Sequence, residues 1–169
     1  NVRFTQRNLT PWFSELELRY GESEIDHVMD TYSLSTIRNL AGKQIKNANN
    51  PKRNTDTGRL KATFDWDNLN LQTGVDYMDD VHVARMERGG DGYSHKPFMP
   101  NQSFKQWGVF TEAAWQQTDE QRWVAGLRHD RVKADYDSAD VTDPALKHQK
   151  FNLNSGFLRW ELDTDNGLT

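Results

Sequence analysis

His27 and Met29 stand two residues apart, an imidazole and a thioether separated only by Val28. On an extended strand, alternate residues share a face and lie ~6.6 Å apart along the chain, near enough to converge on one ion. Thioether sulfur is a soft donor that favours Cu(I), whereas imidazole accepts either copper state, so Cu(I) is the favoured guest and Cu(II) stays open. Asp26 and Asp30 have the opposite parity and are poor candidates for ligands. Met78, His82 and Met86 share the parity of Asp76 and Asp80 and form a candidate secondary metal set. The competing reading packs both methionines under the loop that follows. Met99, in Pro97-Phe98-Met99-Pro100, is expected to anchor a long loop. His95 and His148 carry little, and His129, on the run that begins at Trp123, is expected to be interfacial.

Such pairs need strands with two unlike faces, and period-two alternation dominates the chain. Trp12, Ser14, Leu16, Leu18 and Tyr20 alternate with Phe13, Glu15, Glu17 and Arg19. Leu60, Ala62, Phe64 and Trp66 alternate with Arg59, Lys61, Thr63 and Asp65. Further runs follow from Leu69 to Tyr77, Trp107 to Gln116, Arg122 to Arg128 and Phe157 to Leu162, with a leading one at Val2 to Gln6. Asp67-Asn68 and the segment 118–121 are short turns, while 33–57, 87–103 and 137–149 read as long polar loops. A short-long rhythm implies antiparallel neighbours with tight turns at one end.

Composition sharpens this reading. The chain of 169 residues carries six Trp, five Tyr and eight Phe, too many aromatics for a disordered linker. Yet its mean hydropathy is −0.93, so a conventional core would be thin. There is no Cys, which removes disulfides and thiol chemistry within this stretch. The net charge of −4 argues against a nucleic-acid partner. No apolar run approaches the ~20 residues of a spanning helix. Trp12 and Tyr20, like Trp107 and Trp115, are eight residues apart. At ~3.3 Å per residue and a ~40° tilt, that spacing covers about 20 Å of height, close to the apolar band of a membrane barrel. The expected fold is therefore all-β: an antiparallel up-and-down transmembrane β-barrel segment. Its long loops lie outside, its short turns lie on the periplasmic side, and His27 and Met29 face the lumen. The chain starts without Met and reads as an internal piece.

Two motifs carry a family resemblance. Glu17-Leu18-Arg19-Tyr20 followed by Asp26-His27-Val28-Met29-Asp30 and Tyr32-Ser33-Leu34 resembles copper-binding TonB-dependent outer-membrane receptors of the OprC and NosA type. Trp123-Val124-Ala125-Gly126-Leu127-Arg128-His129-Asp130 is similar to a strand common across such receptors. The resemblance implies that residues 1–169 supply about seven strands of a 22-stranded barrel, with the plug domain not present in this stretch. It also implies residence in the bacterial outer membrane, contact with outer-membrane lipid, and copper import energised by the TonB complex. The family's copper site is shared with a Cys-x-x-x-Met element on the plug, so His27 and Met29 would be half of it.

Rival readings remain at this level. The same barrel could carry a siderophore or another metal chelate, with His27 and Met29 incidental. An outer-membrane enzyme on a small closed barrel would need Asp76, Asp80 and His82 to act with a serine, and none is suitably placed. A soluble β-sandwich also alternates, but it has no use for aromatics gathered at strand ends.

Overall fold

In the computed structural model, which describes residues 1–34, 36–90, 92–137, 141 and 143–163, eight strands form one antiparallel sheet. The long strands are β1 (Val2–Arg7), β2 (Phe13–Asp26), β6 (Asn47–Trp66), β7 (Leu69–Arg88), β8 (Met99–Gln116), β9 (Gln121–Tyr136) and β10 (His148–Leu162). They lie side by side in that order, each antiparallel to its neighbours. The short β3 (Met29–Asp30) extends β2 along β6, while β4 (Arg38–Leu40) and β5 (Lys43–Ile45) pair separately. One turn of helix, α1 (Pro144–Lys147), is capped by the Asp143 carboxylate, which accepts from the Ala145 N–H, and leads into β10. β1 and β10 are edge strands of this sheet.

The expected alternation sets the register. Phe4, Leu18, Leu60, Val75 and Val109 stand opposite one another in a single row across five strands. Two residues further toward the turns lie Leu16, Ala62, Thr73, Thr111 and Leu127. The two threonines donate their hydroxyls to backbone carbonyls, Thr73 to Phe110 and Thr111 to Gln72, which satisfies their polar atoms within the sheet. These apolar side chains are not covered: Leu18 is 50% exposed and Leu127 68%. Among the described residues, Ala48 and Val124 are the buried hydrophobics, so this sheet has no apolar core of its own.

Aromatic rows border the apolar face. At the short-turn end, Trp66, Trp115, Trp123 and Trp160 share one cross-strand row with Leu69. Eight residues along β7, Tyr20, Tyr77 and Trp107 share another with Gly58 and Arg131. One expectation fails here. A bulge between Phe13 and Glu15 slips the register, so Phe13 pairs with Phe64 and joins the aromatic face instead of the charged one. Its ring stacks on Phe64 at 4.9 Å, with Trp12 and Trp66 continuing the stack.

Strand length is the second correction. Residues 47–57, 87–88 and 99–103 read as loop in the sequence but belong to β6, β7 and β8. Apart from Ala48, Pro51, Met99 and Pro100 these stretches are polar in sequence, so no apolar alternation marks them. The ladder itself holds them: every residue from Asn47 to Trp66 has a partner between Leu69 and Arg88.

Candidate functional site

The face opposite the apolar one is charged. Arg19 pairs with Glu17 at 2.7 Å, and Arg3 pairs with the same carboxylate, which is 1% exposed. Arg59 grips Asp76 through two hydrogen bonds, at 2.5 and 3.1 Å. Arg128 reaches the same carboxylate at 2.6 Å and also holds Asp130 at 2.7 Å. That reach spans β8, and Gly108 permits it. Gly108 stands opposite both Asp76 and Asp130, and a Cβ there would collide with the Asp130 carboxylate and the Arg128 guanidinium. Phe110, an apolar residue on this charged face, fills the space over Gly74 and lies 5.3 Å beneath the Arg59 guanidinium.

His27 and Met29 lie further up the same face. Asp26 opposes Lys52 and Met29 opposes Asn49, a three-residue step on each strand, so nothing is inserted between β2 and β3. The His27 N–H donates to the Pro51 carbonyl at 3.4 Å. The two side chains therefore keep the parity of Glu17 and Arg19, and both are exposed. Asp26 and Asp30 take the other face, as the spacing requires. Asp30 accepts from the N–H groups of Ser33 at 2.6 Å and Tyr32 at 3.0 Å, closing a turn. Those backbone donors, Ser33 foremost, hold its carboxyl below the usual range.

A clamp on the reverse face fixes the His27 backbone. Asn50, 1% exposed, donates to the His27 carbonyl at 2.9 Å and to the Asp26 carboxylate at 2.5 Å. Its own side-chain carbonyl accepts from Arg85 at 2.7 Å, and the Arg85 guanidinium lies over the Tyr93 and Phe98 rings at 5.3 and 4.5 Å. Arg85 also donates to the Ser94 carbonyl, so the loop after β7 folds back behind the pair.

The sequence groups Met86 with Met78 and His82, whereas the fold groups it with Met29. Met29 opposes Asn49, and Asn49 opposes Met86, so the two thioethers flank one asparagine at adjacent strand spacings of ~4.8 Å. Both methionines are about half exposed, at 53% and 50%, and border a recess of ≈ 370 Å³. The Asn49 Oδ1 is buried there without a hydrogen-bond partner. One row lower, Met99 lies in the row of His27, Pro51 and Ala84. It heads β8 and does not sit in a loop. A one-residue bulge between His82 and Val83 sets its parity, a signal that the sequence does not carry.

Met78 and His82 stand apart from that patch. Each is four residues from the next, ~13 Å along β7, too far for one coordination sphere with Met86. The His82 Nε2 lies 3.0 Å from the Asp80 carboxylate, which also takes two bonds from Arg53 and one from Thr55. Burial pushes the Asp80 carboxyl up, but the Arg53, Thr55 and His82 hydrogen bonds outweigh it and leave the group below its ordinary value. Met78 faces Thr57 and Gln106, above the Arg59–Asp76–Arg128 lattice. His129 lies on the apolar face between Val109 and Asn154, one row inside the aromatics, with its Nδ1 2.6 Å from Asn154. Among the described residues, no three His, Cys, Asp or Glu side chains gather as a metal cage.

The family of TonB dependent receptor-like β-barrels matches residues 1–167. This chain belongs to that family. Its members are outer-membrane receptors and not enzymes, which removes the small-barrel enzyme reading. Among solved structures, a chain described as "Copper transporter OprC" is similar at 28% identity and a TM-score of 0.85. That likeness covers 97% of this chain and 26% of the other, so this sequence spans about a quarter of that structure's length. No curated protein matches the chain by sequence.

Proposed function

We propose that residues 1–169 form part of the wall of an outer-membrane receptor that captures copper and passes it inward for TonB-energised import. In this reading the uncovered apolar face meets lipid, the ion-paired face meets the lumen, and a plug domain of the same receptor closes the barrel. His27 and Met29 are the primary ligands, with Cu(I) favoured over Cu(II) because sulfur is the soft donor. The observation that carries the proposal is their shared face in unbroken register, with Met86 and the unpartnered Asn49 oxygen beside Met29. The 28% identity to a chain described as a copper transporter supports it. Met78 and His82 fit a waypoint better than a cage.

The rival cargo, a siderophore or another metal chelate, would use free arginines near aromatics. Arg19, Arg59 and Arg128 are instead engaged by Glu17, Asp76 and Asp130. The test replaces His27 and Met29 with Ala in the full receptor and titrates Cu(I), or Ag(I) as its redox-inert surrogate. Affinity should drop at least ~100-fold, the loss of more than ~2.7 kcal/mol of ligation. Undiminished stoichiometry and affinity would remove the assignment. Uptake of chelated metal but not bare ion would favour the rival.

A further inference from the structure

Pro51 interrupts the ladder at His27. Its carbonyl accepts from the His27 N–H, which makes the two residues a hydrogen-bonded pair of the kind that exchanges both backbone bonds. The return bond would run from an N–H at position 51 to the His27 carbonyl, and proline has none to give. Regular strand breaks off here: β2 ends at Asp26 and β3 begins at Met29. The gap is closed from the side. The Asn50 amide donates to the His27 carbonyl at 2.9 Å, in place of the absent N–H. Its other bonds leave it no freedom: the amide nitrogen also donates to the Asp26 carboxylate at 2.5 Å, and the amide oxygen accepts from the Arg85 Nε at 2.7 Å. A guanidinium has only donors, so Arg85 faces the oxygen end and turns the nitrogen toward Asp26 and His27. Arg85 is itself seated on Tyr93, Ser94 and Phe98.

We propose that Arg85 is a positioning residue for copper capture: it orients the Asn50 amide that replaces the missing bond at His27, and so couples the segment from Tyr93 to Phe98 to the imidazole. The inference rests on the reading of His27 as a ligand. A bond between two backbones breaks only when the strands part. This one breaks when a single side chain turns. Displacing the 93–98 segment therefore frees the His27 carbonyl while β6 stays paired with β7 along its other edge. Metal affinity then depends on the placement of a segment that touches no ion, and whatever moves that segment tunes the site.

The experiment titrates Ag(I) into the full receptor and its variants. Arg85→Ala and Asn50→Asp should each weaken binding about tenfold or more, the effect of disturbing a group that orients a metal ligand. Asn50→Asp keeps the side chain's shape but sets acceptors against the His27 carbonyl and the Asp26 carboxylate. Pro51→Ala decides the mechanism, because it restores the backbone N–H and makes the amide redundant. Added to Asn50→Ala or to Arg85→Ala, it should recover most of the lost affinity, a rescue that a general loss of stability would not show. Full affinity in Arg85→Ala overturns the coupling. Failure of Pro51→Ala to rescue, in variants whose heat-modifiable migration shows an intact barrel, overturns the replaced bond. His27→Ala is measured in parallel. If it binds Ag(I) undiminished, the copper reading itself falls; if it loses affinity while Arg85→Ala does not, the coupling alone falls.

Discussion

The lower and upper halves of this sheet use the same strands to different ends. Between the two aromatic rows, β2, β6 and β7 separate apolar from polar side chains, and Glu17, Arg19, Arg59, Asp76, Arg128 and Asp130 are ion-paired. Above the second row, apolar and polar side chains no longer sort by face, and the strands are held by the ladder, by the Asn50 clamp and by the Asp80 cluster. The difference teaches that alternation reports the surroundings of a strand and not its existence. Where water touches both sides, the pattern vanishes while the strand continues.

The largest test of this contrast places one charge in each half. Leu127→Arg, midway between the aromatic rows, should cost about 2–4 kcal/mol in denaturant unfolding of the receptor in bilayers. Asn54→Arg, exposed on the same side of the upper half, should stay within about 0.5 kcal/mol. Equal costs would erase the distinction between the halves. Next, Gly108→Val should destabilise by about 1–3 kcal/mol, because the added side chain meets the crossing Arg128. An unchanged unfolding midpoint would show that Arg128 can reach Asp76 by another route.

Smaller effects belong to the upper half. Asn50→Ala removes the donor to the His27 carbonyl, and about 1–2 kcal/mol of local stability should be lost, read by hydrogen exchange along β2 and β6. Copper affinity should fall with it although Asn50 touches no ion; unchanged affinity would make the clamp irrelevant to the site. Met86→Ala should weaken Cu(I) binding about tenfold with little change in stability, whereas Met78→Ala should do neither. The reverse ranking would restore the grouping drawn from sequence. The least effect concerns acid. The depressed Asp80 carboxyl contributes stability that is present above its ordinary value of 3.8 and is lost as pH falls through its lower folded value. Asp80→Asn should flatten that acid limb for β6–β7 amides.

The lower half was legible because its two unlike faces write themselves into alternate residues. Leu16, Leu18 and Leu60 announced one face and Glu17, Arg19 and Arg59 the other. The shared face of His27 and Met29 was legible for the same reason, by counting on from Glu17. What was not legible depends on single-residue slips and on partners far along the chain. Phe13 crosses faces through a bulge, Met99 takes its parity from another, and Met86 meets Met29 only because β6 lies between them. The strand character of residues 47–57 was hidden by their polarity.

The tryptophans give the sheet an optical polarity. Five of the six, Trp12, Trp66, Trp115, Trp123 and Trp160, gather toward the short-turn rim, while Trp107 alone marks the opposite one. A water-soluble quencher confined to one side of a proteoliposome would dim emission unequally depending on insertion direction, so the intrinsic fluorescence of this segment can report which way round it sits.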